Sequence, residues 1–196
     1  MRDFESSTTN MTFARLILAA SINAPLPRVA KRKLPSRPAA MALIQIYLDK
    51  IYSLFPAFLE TTVFLSVDSL YRNDGRTTDF DKWLVYMILA IASTSESRSK
   101  SDQFYKDGLA YVATALVHAD EVLIPGSIYQ IQSLVLLVQY AMFDPVHFDS
   151  WQLIGFACRS IVDLGFHQDP PEHQQPDKQK LELRRKIFYC VYSLDR

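Results

Sequence analysis

The C-terminal stretch LELRRKIFYCVYSLDR (Leu181–Arg196) decides the fold class of this chain. Its apolar residues recur at steps of three and four, the spacing that lines one face of an α-helix. They are Leu183, Ile187, Val191 and Leu194. Because no glycine or proline interrupts the pattern, we predict an amphipathic helix that runs up to Arg196. We expect part of the cover for its apolar face to come from helices beyond Arg196.

The same helical spacing recurs along the rest of the chain, and no stretch alternates convincingly as a strand would. Prolines, turn residues and capping residues separate the helical segments, with Asp79 or Asp81 expected to cap one helix and Ser127 another. The sequence therefore predicts an all-α fold: an irregular bundle of about seven helices joined by short loops, incomplete at its C-terminus. We assign residues 1–37 to an N-terminal helix and a basic, proline-rich loop, and residues 38–196 to one helical domain.

Composition excludes several classes of protein. Of the 196 residues, 49% are apolar and 21% are charged, which is a globular balance rather than a disordered one. The formal net charge is zero, so bulk charge favours neither nucleic acid nor membrane as a partner. The most apolar stretch, WLVYMILAIA (Trp83–Ala92), is about half as long as a membrane-spanning helix and predicts a buried core helix.

Residues with catalytic or metal-binding chemistry are sparse. The two cysteines, Cys158 and Cys190, lie within apolar helical patterns and are expected to be buried thiols in a reducing compartment. His167 and Asp169 could form half of a metal site, but a second pair of ligands is missing, so a loop role is favoured. No glycine-rich phosphate loop or pair of catalytic carboxylates is apparent. We therefore predict no catalytic residue, no metal ligand and no cofactor in this chain.

Basic residues cluster in the segment RVAKRKLPSR (Arg28–Arg37). Lysine and arginine in a proline-punctuated segment are typical of a nuclear localisation signal or of an arm that contacts phosphates. An ordinary solvated loop between two helices is the alternative. The residues concerned are Arg28, Lys31, Arg32, Lys33 and Arg37.

Two adjoining motifs resemble a known family. SWQLIGFACRSIVDLGFHQDP (150–170) and ELRRKIFYCVYSLDR (182–196) are similar to the fungal-specific transcription factor domain, the middle homology region of fungal regulators that bind DNA through a binuclear zinc cluster. Phe166, Gln168 and Lys186 depart mildly from the family pattern, and weaker likeness extends upstream to about residue 38. The matching residues singled out here are Trp151, Gly155, Arg159, Asp163, Leu164, Gly165, His167, Asp169, Glu182, Arg184, Arg185, Asp195 and Arg196.

The motif residues are expected to serve structure. Gly155 would let another helix approach closely, and Gly165 would allow a sharp exit from its helix. Glu182 could pair with Arg185 or Lys186 along its own helix. Arg184, Arg185 and Asp195 would fix helix register if they point inward, and they would be solvated otherwise.

The resemblance implies a function in the nucleus. The chain would belong to the regulatory region of a fungal transcription factor that controls transcription by RNA polymerase II. DNA and zinc would be bound by a zinc-cluster domain missing from this chain. Proteins of the transcription machinery or a second copy would be its partners, a small-molecule inducer is compatible with it, and no membrane is involved. A stand-alone helical regulator that binds proteins or a small ligand, without DNA binding, remains the alternative.

Overall fold

The computed structural model describes residues 11–27, 32–72, 75–171, 173 and 176–196. Within these ranges the chain is helical and contains no β-strand, so the predicted all-α class is confirmed. Eight helices of nine residues or more occur in the described part, close to the expected number. The helices are α1 Phe13–Ser21, α2 Arg37–Tyr47, α3 Glu60–Arg72, α4 Asp79–Glu96, α5 Gln103–Ala115, the short α6 Ala119–Val122, α7 Ile128–Phe143, α8 Ser150–Asp163 and α9 Lys178–Asp195.

Helix starts follow local capping chemistry. The hydroxyl of Ser127 accepts the backbone N–H of Tyr129 at 3.1 Å, which confirms Ser127 as the N-cap of α7. The cap of α4 is Thr78 rather than the expected Asp79 or Asp81. Thr78 accepts the backbone N–H of Asp81, and the Asp81 carboxylate accepts the backbone N–H of Thr78 in return. Asp81 therefore completes a capping box instead of capping the helix itself.

Helices α4 and α7 form the centre of the core. Eleven residues of α4 and twelve of α7 are buried, because both helices are apolar on nearly all sides and must be surrounded by other helices. α4 packs against α2, α3, α5 and α7. Its approach to α5 is tight at Gly108, where an added Cβ would lie 2.1 Å from Oγ1 of Thr94. No helix in the described part combines the length and apolar character needed to cross a bilayer.

The C-terminal helix lies on this core through α7 and α8. Ile187 and Val191 are 0% and 2% exposed, and Leu183 and Leu194 pack against the same cluster at partial burial. Neighbouring helices of the chain already bury Ile187 and Val191. The expectation that part of the cover comes from beyond Arg196 therefore stays a prediction, and it can concern only the partly buried Leu183 and Leu194.

Backbone hydrogen bonds connect α1 to the loop between α7 and α8. The N–H of Asn23 donates to the carbonyl of His147 at 2.9 Å, and the N–H of Asp149 donates to the carbonyl of Ser21 at 2.7 Å. Ile17 of α1 is fully buried in the shared core. The domain boundary at residue 38 stays a prediction.

The buried carboxylate of Asp144 links several elements near the loop between α7 and α8. Asp144 is 1% exposed and accepts hydrogen bonds from the hydroxyls of Tyr105 at 3.0 Å and Tyr140 at 3.3 Å. Nδ1 of His147 lies 2.7 Å from Oδ2 of Asp144, the oxygen that also accepts from Tyr140. Burial, and then the Asp144 carboxylate, raises the pKa of Tyr105 to about 12, so its hydroxyl keeps its proton. Asp144 therefore joins α5, the end of α7 and the loop before α8.

Candidate functional site at the α8–α9 junction

The turn that ends α8 is built around Gly165. Its φ of +67° lies in the left-handed region that glycine adopts without steric cost, as the sequence predicts. The N–H of Phe166 donates to the carbonyl of Ile161 at 2.8 Å, and the N–H of Gly165 donates to that of Val162 at 2.9 Å. These two bonds form a Schellman motif, which turns the chain away from α8.

Arg184 of α9 reaches back to this turn. Its Nη2 donates to the carbonyl oxygens of Gly165 and Gln168, the second at 3.1 Å. The guanidinium also lies over the Phe166 ring, 4.5 Å from its centroid. A cation that satisfies carbonyls at a helix C-terminus is favourably placed in the field of the helix dipole. Arg184 therefore clamps α9 onto the end of α8, and of the three predicted register residues it is the one that points inward.

Arg185 and Asp169 form a second, more exposed contact. Nε of Arg185 lies 3.1 Å from Oδ1 of Asp169, and Nη2 lies 2.5 Å from Oδ2, which is a bidentate pair. Its hydrogen bonds lower the pKa of Asp169 and raise that of Arg185. Arg185 thus directs its hydrogen bonds to the loop after α8 rather than to Glu182, the expected partner on its own helix.

Most of the other motif residues are exposed to solvent. Trp151 lies at helical spacing from the buried Ile154, yet it is 75% exposed. Nothing lies within 4 Å of a Cβ added at Gly155, so the expected close approach of a helix there is wrong. Arg159, Asp163, His167, Glu182, Asp195 and Arg196 are exposed, and Leu164 is partly buried.

Exposed cations of the motif contact aromatic rings. Arg159 lies over the ring of Phe156 at 5.4 Å, and Arg196 lies over that of Tyr192 at 5.1 Å. Such contacts contribute about 0.5–1 kcal/mol at exposed positions. They hold side chains in place without supplying a reactive group.

The two thiols are poorly suited to catalysis or metal binding. Burial raises the pKa of Cys190 to about 12. Burial and then the Asp195 carboxylate raise the pKa of Cys158, which is only partly buried. Both thiols keep their protons at neutral pH, whereas a nucleophile must be a thiolate. Two such cysteines do not fit the six-cysteine zinc cluster that the resemblance implies, and the described residues bring together no group of three metal-ligating side chains.

The structure divides the basic segment among different helices. Arg28 and Lys31 lie outside the described residues. Arg32 pairs with Asp107 of α5, and Arg37 pairs with Asp68 of α3. Lys33 is exposed to solvent.

Besides its ion pair with Asp107, Arg32 makes two further contacts with α5. Its guanidinium lies 5.4 Å from the centroid of the Tyr111 ring, and its backbone N–H donates to Oγ1 of Thr114 at 3.0 Å. The segment is thus anchored at Arg32 and Arg37, and the acidic partners that anchor it were not apparent in the sequence.

Comparison with known proteins identifies relatives. A model of the fungal specific transcription factor domain matches residues 44–196. An uncharacterized transcriptional regulatory protein of Schizosaccharomyces pombe is 27% identical over 168 residues, which cover 85% of this chain and 28% of the relative. The lactose regulatory protein of Kluyveromyces lactis is 26% identical over 81% of this chain and 17% of its own length.

A third relative is the positive regulator of purine utilization of Emericella nidulans, 28% identical over 54% of this chain and 13% of its own length. The chain thus spans less than one third of the length of each of these relatives. No solved structure matches the chain.

Proposed function

The chain belongs to the fungal-specific transcription factor domain family, and we propose that it serves as part of the regulatory region of a nuclear transcription factor. In this proposal the parent protein controls transcription by RNA polymerase II and binds DNA through a zinc cluster contributed by another segment. The observation that carries the proposal is the family match over residues 44–196, which includes the whole α8–α9 junction. The relatives named as regulators support the same role.

The character of the junction agrees with a regulatory scaffold. Arg184 fixes α9 by hydrogen bonds to main-chain carbonyls, and the thiols of Cys158 and Cys190 are held protonated. Arg184 thus positions a helix, and the protonated thiols supply no nucleophile. We propose that the chain acts by contact with other molecules and has no catalytic role.

Exposed aromatic side chains favour a protein partner. Trp151 is 75% exposed, and on α9 Tyr189 and Tyr192 are 62% and 48% exposed. Aromatic residues are enriched in protein interfaces, because they bury large areas with few rotatable bonds. We propose that components of the transcription machinery or a second copy of the protein bind these surfaces.

A reporter experiment tests the regulatory role. The chain is inserted between a heterologous DNA-binding domain and an activation domain in yeast, and reporter output is compared with that of the same fusion lacking the chain. We expect the insertion to change reporter transcription severalfold, and Arg184→Ala to reduce that change more than Arg185→Ala. Equal output with and without the chain, at equal protein levels, would count against the proposal.

DNA binding by the isolated chain is a separate test. We expect no footprint on any specific sequence, because recognition is assigned to another segment. Residual binding through the basic segment should weaken steeply as salt rises, since it would depend on released counterions. A sequence-specific footprint that survives raised salt would support a different assignment.

A further inference from the structure

A cavity lies where the start of α1, the first turn of α7 and the second half of α8 meet. Its volume is about 230 Å³. At liquid density this is the space of about eight water molecules, and so of a ligand with about nine non-hydrogen atoms. Its lining includes Phe13, Gly126, Gln130, Phe156, Arg159 and Asp163.

Two opposite charges lie one helical turn apart on the wall that α8 forms. The guanidinium of Arg159 lies over the Phe156 ring, 5.4 Å from its centroid. Asp163 lies four residues further along the helix, a spacing at which the two side chains could have paired. Neither forms an ion pair with any residue in the described part of the chain. Both charges therefore remain available to a ligand that carries the opposite ones.

The ends of two helices reinforce this separation of charge. The cavity lies at the N-terminal end of α7 and at the C-terminal end of α8, two helices that pack against each other. Asp163 is the last residue of α8, where the helix dipole favours a cation. Gln130 lies in the first turn of α7, where the dipole favours an anion. A ligand with one charge of each sign suits both ends.

The rest of the lining combines an amide with two aromatic rings. Gln130 is 2% exposed, and its side-chain amide makes no hydrogen bond within the described residues yet keeps some surface open to the cavity. The rings of Phe13 and Phe156 meet edge to face, with their centroids 6.4 Å apart. An apolar group placed against these rings loses contact with water, which favours binding.

We propose that this cavity binds a free α-amino acid with an aliphatic side chain, such as leucine, which is of the size that the volume allows. Its carboxylate pairs with Arg159, its ammonium group pairs with Asp163, and its side chain lies against the two phenylalanine rings. An internal peptide segment has neither of these charges and does not fit the site. The proposal goes beyond the role in transcription, and its test on the chain does not depend on that role.

Three probes of matched shape test the two charges on the full chain. They are L-leucine, 4-methylpentanoate, which lacks the ammonium group, and 3-methylbutylamine, which lacks the carboxylate. Titrations are followed by ¹H–¹⁵N spectra, in which the backbone signals of Gly126 and Gln130 should move. We expect leucine to bind about fivefold more tightly than either analogue, because each analogue loses one partly exposed ion pair.

Two variants and two matched controls test the location. Arg159→Gln should weaken the binding of leucine and 4-methylpentanoate about fivefold without weakening that of the amine. Asp163→Asn should weaken the binding of leucine and 3-methylbutylamine without weakening that of the carboxylate. Arg98→Gln and Glu182→Gln make the same changes of charge at exposed positions outside the cavity lining, and neither should alter binding. If a variant fails to fold, the order of the three probes on the wild-type chain decides the question.

Three outcomes would overturn the proposal. Leucine moves no signal at millimolar concentration, leucine binds no more tightly than its analogues, or Arg159→Gln and Asp163→Asn behave like their controls. Equal binding of leucine and 4-methylpentanoate would show a plain carboxylate site, which contradicts the role given to Asp163. Equal binding of leucine and 3-methylbutylamine would contradict the role given to Arg159 in the same way.

Discussion

Replacement of Arg184 by alanine should destabilise the domain far more than the same change at Arg185. Arg184 donates two hydrogen bonds to the carbonyls of Gly165 and Gln168 and lies over the ring of Phe166. Hydrogen bonds from charged groups contribute about 1.5–3 kcal/mol. An exposed cation–π contact adds about 0.5–1 kcal/mol.

The expected loss in the free energy of unfolding is smaller than the sum of these contributions. Arg184 is only partly buried, and its Nε is buried without a partner in the described chain, so removing the side chain also removes an unfavourable group. We expect Arg184→Ala to lower the free energy of unfolding by about 2–3 kcal/mol. With a urea dependence near 2 kcal/mol per molar, the unfolding midpoint should fall by about 1–1.5 M.

Urea unfolding followed by circular dichroism provides the assay, with Arg185→Ala as the matched control. The Arg185–Asp169 pair is about half exposed and screened by water, so the control should shift the midpoint much less. Arg184→Lys keeps the charge but loses the planar guanidinium that lies over Phe166, and it should recover only part of the loss. Equal, small shifts for Arg184→Ala and Arg185→Ala would refute the assignment of Arg184 as the clamp between α8 and α9.

Three further predictions concern the core and its caps. Gly108→Ala should lower the free energy of unfolding by about 1–3 kcal/mol, because the added methyl group would overlap with α4. Gly155→Ala adds a methyl group that meets nothing within 4 Å, and it should raise the free energy of unfolding by about 0.5–1 kcal/mol. Equal effects of the two variants in calorimetry would contradict the packing described. Asp144→Ala should lower the free energy of unfolding by about 3–5 kcal/mol, because Tyr105, Tyr140 and His147 lose a buried charged partner. A loss under 1 kcal/mol in urea unfolding would contradict this. Backbone N–H groups, first that of Tyr105, lower the pKa of Asp102 to about 2. The stability that the Asp102 carboxylate contributes should therefore be present above about pH 4 and vanish as the pH falls towards 2. An Asp102→Asn variant whose stability has the same pH dependence as that of the wild type would contradict this.

Local rules explain what could be predicted from the sequence. Helical spacing predicts the all-α class because a periodic apolar face must be buried. Ser127 and Gly165 were predictable for the same kind of reason, since capping and a left-handed turn depend on a few adjacent residues. The choice of Thr78 over Asp79 as a cap was missed because several capping residues follow one another there.

Long-range contacts explain most of what could not be predicted. Arg184 and Arg185 are adjacent in the motif, yet one clamps a turn and the other forms an exposed pair. Which of them points inward depends on the position of α9 against α8. Arg32 has its acidic partner 75 residues away, and Asp144 its Tyr105 partner 39 residues away. Sequence spacing carries no information on such pairs without an alignment of related chains.

The exposure of Trp151 could not be predicted from its spacing. Its spacing places it near the apolar face of α8, and large aromatic residues are usually buried. It lies in the first turn of the helix, where the neighbouring helices do not cover it, and it is 75% exposed. A position within a repeating pattern therefore predicts the face of a helix better than it predicts burial at the helix end.

Deletion of the codons for residues 44–196 from the natural gene tests the central claim most directly. Chromatin occupancy of the tagged protein and genome-wide transcript levels are measured together, before and after deletion. The proposed regulatory role predicts that the intact protein occupies specific promoters, and that deletion changes transcripts of those same genes while a DNA-bound fraction remains. A protein absent from chromatin, or unchanged transcripts despite equal occupancy and protein level, would contradict it.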